Sequence, residues 1–238
     1  MSNIVQPPIE QPEKIHPILS GIHSIPSIPV VIGEVNRLLD SPKASAAELG
    51  KVIRIDQGLV TKILSVANSP LYGLPRRVAT IEFAIIILGF DHIKNIVIAL
   101  SMLNTFKNKS DKYFRKREYW LHSFICASGA KRIAEDLGYS NSGEVFTAGL
   151  LHDMGIPVIH KYGNNDFVKM MRTIESTGCT YYEAEKNILG ITHEDIFRFL
   201  SFKWNLPQNL SEAIYFHHNP SQAKDNKTLA AIIHLADY

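Results

Sequence analysis

Apolar side chains in this sequence recur at the three- and four-residue spacing of an α-helix, and capping residues precede many of these runs. After Asp56, apolar residues stand at positions 59, 60, 63, 64 and 67, and the run closes at Asn68-Ser69-Pro70. Pairs with the spacing of a capping box occur at Ser45–Glu48, Thr180–Glu183 and Thr192–Asp195. Long alternating runs and Asn-Gly hairpin turns are missing. The sequence therefore predicts an all-α, multi-helical fold.

The segment Ile85-Ile86-Ile87-Leu88 would suit a strand by its β-branching. Thr80 stands before it as a helix cap and Gly89 follows it as a stop, so we predict a helix there. Asp91 is expected to open the next helix, and Ser27 and Asp166 are expected to cap two others. We expect the Ile, Val and Leu faces of residues 81–103 to lie in the core.

Composition excludes several classes of protein. The 25 Lys and Arg against 23 Asp and Glu leave a formal charge of +2, too small for a strongly basic nucleic-acid-binding domain. The longest apolar stretch is far shorter than the roughly 18–20 residues of a membrane span. The polar, proline-containing start does not resemble a signal peptide. Cys126 and Cys179 form no C-x-x-C pattern, so we expect a reducing, cytoplasmic setting.

The chain is predicted to divide into three parts. Residues 1–15 form a flexible lead, residues 20–106 an N-terminal helical lobe and residues 107–238 a second helical lobe. The joint at 107–117 is basic, and a solvated surface is the simpler interpretation of its charges than an anion-binding site. The last helix, from Thr228, reaches Tyr238 with no stop signal, which suggests that the chain is truncated.

One predicted helix, from about Tyr113 to Leu137, carries His122 on an apolar stripe with Cys126, Gly129, Ile133 and Leu137. Taken alone, His122 would be interpreted as a hydrogen-bonded core histidine, and Asp153 as a solvated carboxylate. Ser69, Ser123 and Cys126 have no His/Asp order that specifies a catalytic triad, so nucleophilic catalysis is not expected.

Several motifs together resemble the bacterial HDOD family, the "HD-related output domain", over about residues 20–238. In the N-terminal half these are residues 55–64, 67–69, 71–73, 81–84 and 88–89. In the C-terminal half they are Trp120, His122-Ser123, residues 148–155, His193, residues 204–207, His217-His218 and residues 235–237. The resemblance implies an all-helical fold with a C-terminal lobe similar to the HD superfamily of metal-dependent phosphohydrolases.

The resemblance also implies a set of metal ligands. His122, His152-Asp153 and Asp237 fill the superfamily order, and His193, His217 and His218 stand where a dinuclear branch has further histidines. The predicted metal ligands are thus His122, His152, Asp153, His193, His217, His218 and Asp237. Such N/O donors without cysteine suit one or two divalent ions of Fe, Mn, Zn or Ni.

Two family signatures are missing. Ile156 stands where many active members have Lys, and Asn219-Pro220-Ser221-Gln222 replaces the Gly-Tyr-Pro run. Hydrolysis of cyclic-di-GMP is therefore not expected.

We expect a signal-transduction module that acts through protein partners without efficient catalysis. The alternative is a metal-dependent phosphohydrolase acting on a nucleotide or phosphorylated signal. Nucleic-acid binding through the basic joint is the weakest of the three.

Overall fold

The computed structural model describes residues 30–39, 45–105, 108–140, 142–204 and 206–238. The helices before residue 106 are α1 (Val30–Leu39), α2 (Ala46–Ile53), α3 (Gln57–Ala67), α4 (Ile81–Leu88) and α5 (Phe90–Thr105). A short 3₁₀ turn, Pro70–Tyr72, follows α3. The predicted lead at 1–15 and a predicted cap at Ser27 lie outside the described residues.

The second half of the chain contains longer helices and the turns between them. Its helices are α6 (Lys116–Asp136), α7 (Ser142–Leu151), α8 (Gly155–Tyr162), α9 (Asn164–Thr177), α10 (Tyr181–Ile188), α11 (His193–Lys203), α12 (Gln208–Tyr215) and α13 (Lys227–Asp237). A 3₁₀ turn, Pro220–Gln222, precedes α13. No strand occurs in the described ranges, and the predicted all-α fold is confirmed.

Five of the helix starts follow from side-chain caps that the sequence contains. The side chains of Asp56 and Thr80 accept hydrogen bonds from the backbone N–H three residues on, as N-caps do. Full capping boxes form at Thr180 and Thr192. Ser45 makes only half of its predicted box, because the Glu48 carboxylate lies 2.8 Å from the Lys51 ammonium instead.

Two predicted helix starts are displaced in the structure. The helix assigned to Asp91 begins at Phe90, directly after Gly89, whose φ of 89° ends α4. The helix assigned to Asp166 begins at Asn164, and Asp166 lies in its first turn, where a carboxylate is favoured by the helix dipole.

The core is centred on α6, α7 and α13, which pack against one another, and α5 also packs against α7. The buried side of α6 consists mainly of small residues, Ser123, Cys126, Ala127, Ala130 and Ala134. Small side chains let the helices approach closely. Because α5 contacts α7, the two predicted lobes share a packed interface; a domain boundary at residue 107 stays a prediction.

The structure corrects two burial predictions. Ile86 is 72% exposed, and Phe83 and Ile87 are also exposed, so the outer face of α4 is not core. Leu137, at the end of the predicted stripe on α6, is exposed as well, because the helix has ended one residue earlier. Among the described residues, no helix combines the length and the apolar character needed to cross a membrane.

Candidate metal centre

A first group of donor atoms forms where α6, α7 and α13 meet. It consists of His122, His152, Asp153 and Asp237. The Nε2 atoms of His122 and His152 lie 3.3 Å apart, and each lies 3.1 Å from Oδ1 of Asp237. Asp153 Oδ2 is 3.4 Å from His122 Nε2 and 3.3 Å from His152 Nε2. Four side chains from three parts of the chain thus point their donor atoms at one another.

A second group, His193, His217 and His218, adjoins the first. The Nε2 of His193 lies 3.5 Å from that of His217 and 3.2 Å from that of His218. Asp153 connects the groups, because its Oδ1 lies 3.5 Å from His193 Nε2 while its Oδ2 faces the first group. The structure therefore brings all seven predicted residues together in two adjoining groups that share one carboxylate.

Helix ends place most of these side chains. His152 and Asp153 follow α7 directly, in the turn before α8, and His217 and His218 lie in the turn after α12, one residue beyond its end. His193 is the first residue of α11, after the Thr192 cap. Among the histidines of the two groups, His122 is the one that lies in the middle of a helix, α6. A change of direction after each helix lets ligands from distant parts of the chain converge.

Two glycines permit the close packing that the centre needs. A Cβ at Gly149 would lie 2.7 Å from the Cα of Ala127, so glycine is required where α7 crosses α6. A Cβ at Gly155 would lie 2.6 Å from the Cα of His193. The first contact brings His152 to His122, and the second brings His193 to Asp153. Both glycines fall within the 148–155 motif, but the pattern alone did not indicate what they touch.

Hydrogen bonds orient the imidazole rings. His152 Nδ1 donates to the carbonyl of Gly149 over 2.8 Å, and His217 Nδ1 donates to that of Ile214 over 2.7 Å. His193 Nδ1 donates over 2.7 Å to Glu185, whose carboxylate also accepts the His193 backbone N–H. With Nδ1 occupied in this way, each ring turns Nε2 into the pocket, as metal-ligating histidines do.

Glu185 is the functional residue that the sequence analysis missed. It is fully buried and holds His193 by the two bonds above. The sequence does contain a pattern that could have indicated Glu185, because this residue falls at helical spacing between Tyr181 and Ile188 on the apolar side of α10. A carboxylate on that side must have a partner inside the protein.

Carboxylates and imidazoles perturb one another strongly in this pocket. Hydrogen bonds that His122 donates to the carboxylates of Asp153 and Asp237 raise its pKa to about 10. Burial disfavours the charged form of Asp153, yet His152 and His122 hold the pKa of its carboxyl well below the usual range. Burial and the neighbouring histidines lower the pKa of His217 well below its ordinary value, and that of His218 to about 4.

The donor chemistry fits divalent cations. His193 and His217 donate through Nδ1, so as neutral imidazoles they present lone pairs at Nε2. These lone pairs lie 3.5 Å apart and repel unless a cation or a proton lies between them. The buried carboxylate of Asp153 needs the same compensation. Nitrogen and oxygen donors without thiolate match Fe, Mn, Zn or Ni. Ligation itself stays a prediction for all seven residues.

The two missing signatures can be located in the structure. Ile156 is half-buried in the first turn of α8, where it packs against the core. The segment that replaces Gly-Tyr-Pro forms the 3₁₀ turn directly after His218 and Asn219, and it lies largely at the surface. The expectation that cyclic-di-GMP is not hydrolysed stays a prediction. Arg76 and Arg77 are exposed on the loop after the first 3₁₀ turn.

Solved structures resemble this fold closely. An HDOD domain protein of unknown function from Geobacter sulfurreducens is 27% identical, with a TM-score of 0.79 over 92% of this chain and 74% of that chain. A candidate signal transduction protein from Marinobacter aquaeolei VT8 is 26% identical, with a TM-score of 0.73 over 92% of this chain and 49% of that chain. A candidate phosphohydrolase from Shewanella amazonensis SB2B is 23% identical, with a TM-score of 0.76 over 92% of this chain and 78% of that chain.

Sequence comparisons agree with the structural ones. An uncharacterised protein of Treponema pallidum is 22% identical over 222 residues, which span 92% of this chain but 43% of that protein. A family model for the HDOD domain matches residues 25–220. This match covers most of the chain and includes six of the seven converging His and Asp residues. The chain belongs to the HDOD domain family.

Proposed function

We propose that this protein is a metal-dependent phosphohydrolase whose centre holds two divalent cations. The observation that carries the proposal is the complete donor set, two groups with Asp153 between them. His122, His152, Asp153 and Asp237 would hold one cation. His193, His217 and His218, together with Asp153, would hold the other.

Cations in such a site polarise a phosphoryl oxygen and lower the pKa of a bound water, which is the chemistry of phosphoester hydrolysis. The chain's own residues supply position and access. Glu185 fixes the ring of His193, and the carbonyls of Gly149 and Ile214 fix those of His152 and His217. The His122 side chain is 43% exposed whereas that of His152 is fully buried, so a substrate would enter beside His122.

Metal analysis of variants tests this proposal. Protein purified without chelator should contain two ions per chain. His122→Ala and His217→Ala should each lose one ion, and Asp153→Ala should lose both, since its carboxylate faces both groups. His234→Ala is the matched control, because His234 lies on α13 beside Asp237 yet outside both groups. Equal metal content in all variants would contradict the site.

The reaction is tested separately with bis(nitrophenyl) phosphate as a general phosphodiester. We expect turnover by the metal-loaded protein and its loss in Asp153→Ala, with His234→Ala unaffected. Metal bound without turnover would favour the second candidate, a signalling module that acts through protein partners. The similarity to the Marinobacter signal transduction candidate supports that function. In that case the centre would stabilise a conformation and would not process a substrate.

A further inference from the structure

A cleft of about 480 Å³ lies apart from the seven His and Asp residues, at the junction of the two predicted lobes. This volume is in the range of small-molecule sites. Helices α3, α5, α6 and α7 and the turn after α3 all contribute to it. Its lining residues are Lys62, Ser65, Val66, Asn68, Ser69, Pro70, Leu100, Trp120, Phe124 and Leu150.

The walls of the cleft are apolar. Val66, Leu100 and Leu150 are buried in the core behind it. Trp120 and Phe124, one helical turn apart on α6, are half-buried. Trp120 thus differs from Trp204, the other tryptophan of the chain, which is fully buried. Half-open aromatic side chains in a concave surface provide contact area for an apolar ring.

Positive charge lies at the Trp120 side of the cleft. The ammonium of Lys62 lies 4.9 Å from the centre of the Trp120 ring. Burial lowers the pKa of Lys62, the charge of Lys116 lowers it further, and the carboxylate of Asp56 acts in the opposite direction. A second cation close to a partly buried ammonium makes an anion favourable at this position.

Ser69 adds an unused polar group. Its hydroxyl oxygen is shielded from solvent and has no hydrogen-bond partner among the described residues. The side-chain amide of its neighbour Asn68, in contrast, donates to the carbonyls of Leu64 and Val78 and accepts the backbone N–H of Val78. A buried hydroxyl without a partner costs free energy. Because Ser69 lines the cleft, a rotation of its side chain about χ1 would let the hydroxyl recover that cost in a hydrogen bond with a ligand atom.

We infer that this cleft binds a small organic anion that carries an aromatic ring. The ring lies against Trp120 and Phe124, the anionic group faces Lys62, and a polar atom meets Ser69. This site is independent of the metal centre. Its occupant touches helices before and after residue 107, and it touches α6, the helix that also carries His122.

The test uses two probes that differ in charge, anilinonaphthalene sulfonate and its uncharged parent phenylnaphthylamine. Titration calorimetry gives the stoichiometry and the affinity. Energy transfer from tryptophan to the probe helps to give the location, because its efficiency falls steeply with distance and Trp120 lines the cleft whereas Trp204 does not. The variants are Lys62→Met, Ser69→Ala and Trp120→Phe. Lys112→Met is the matched control, since Lys112 also lies over an aromatic ring, 4.3 Å from that of Tyr113, but outside the cleft.

The wild-type protein should bind one sulfonate per chain at this site, with energy transfer that Trp120→Phe strongly reduces. Lys62→Met should weaken sulfonate binding about tenfold, the loss expected for a charge-assisted contact, and should leave binding of the uncharged probe unchanged. Lys112→Met should behave as wild type. Ser69→Ala provides a second arm should Lys62→Met fail to fold, and it should weaken sulfonate binding. Sulfonate binding that is insensitive to Lys62 and Ser69, or that keeps its energy transfer in Trp120→Phe, would overturn the inference.

Discussion

Substitution of Gly155 by Ala should separate His193 from Asp153. Gly155 is the first residue of α8, and its Cα faces the backbone of His193. The added Cβ would lie 2.6 Å from the Cα and 2.7 Å from the carbonyl carbon of His193, well inside the 3.4 Å at which ordinary contact begins. The neighbours are backbone atoms at the start of α11, so they cannot yield by rotating a side chain.

Relief of this overlap requires α8 or α11 to move by a large fraction of an ångström. Overpacking of this kind costs about 1–3 kcal/mol of unfolding free energy. The same movement would lengthen the 3.5 Å separation of His193 Nε2 and Asp153 Oδ1. Metal–ligand distances in genuine sites stay within about 0.2 Å of their standard values. We therefore expect Gly155→Ala to lose the ion held by the second group and to keep the other.

Gly129→Ala is the matched control. Gly129 lies in the interior of α6, and its added Cβ would meet only the Cβ of Ala236, at an ordinary 3.7 Å. Alanine has the higher helix propensity, so this variant should be neutral or more stable by up to about 1 kcal/mol. Urea unfolding followed by circular dichroism gives both free energies, and elemental analysis gives both metal contents. If Gly155→Ala matched Gly129→Ala in both measurements, the close approach of α8 and α11 would be wrong.

Three further predictions concern other parts of the molecule. Asn68→Leu should remove three side-chain hydrogen bonds and destabilise the protein by on the order of 1–2 kcal/mol, so the melting temperature should fall by about 2–8 °C. Asn68→Asp keeps the acceptor for the Val78 N–H and should lose less stability. An unchanged melting temperature in Asn68→Leu would contradict the role assigned to these hydrogen bonds. The hydrogen bond from His160, together with the N–H groups of Phe114 and Tyr113, lowers the pKa of Asp111, so the stability that ionised Asp111 contributes is present above the unfolded-state pKa of about 3.9 and is lost as the pH falls below it. The difference in unfolding free energy between wild type and Asp111→Asn should be below about 1 kcal/mol at pH 7, because Asp111 is exposed. A difference that grew on acidification would contradict the predicted pH dependence. The purified protein should not hydrolyse cyclic-di-GMP in a product assay, and turnover that His152→Ala abolished would overturn the inference drawn from Ile156 and the absent Gly-Tyr-Pro run.

Local signals predicted most of the fold because caps and stops act over a few residues. Thr80 and Gly89 outweighed the β-branched run between them, and the segment is helical. The same local reasoning failed for burial. Ile86 and Ile87 are as apolar as any core residue, yet they lie on the outer side of α4. Neighbours distant in sequence determine which side of an apolar helix is covered. When a helix is apolar on all sides, its own sequence does not indicate which side those neighbours pack against.

The seven site residues could be proposed from their order, but their arrangement could not. That Asp153 lies between the two groups depends on the crossing of α6 and α7 and on the contact of α8 with α11. Those contacts require glycine at 149 and 155, and a single sequence does not reveal which backbone a glycine touches. Glu185 was missed for a related reason, since its partner His193 belongs to the next helix.

Helix ends give the centre a charge pattern that suits cations. His152 and His217 each follow the last residues of a helix, and each donates Nδ1 to a carbonyl three residues back. Carbonyls at a helix C-terminus carry partial negative charge, which favours positive charge nearby. His193 lies at a helix N-terminus, where the dipole opposes a cation, and there Glu185 and Glu194 provide negative charge close to the ring. Glu185 and Glu194 thus lie beside the helix end whose dipole would otherwise repel a metal ion.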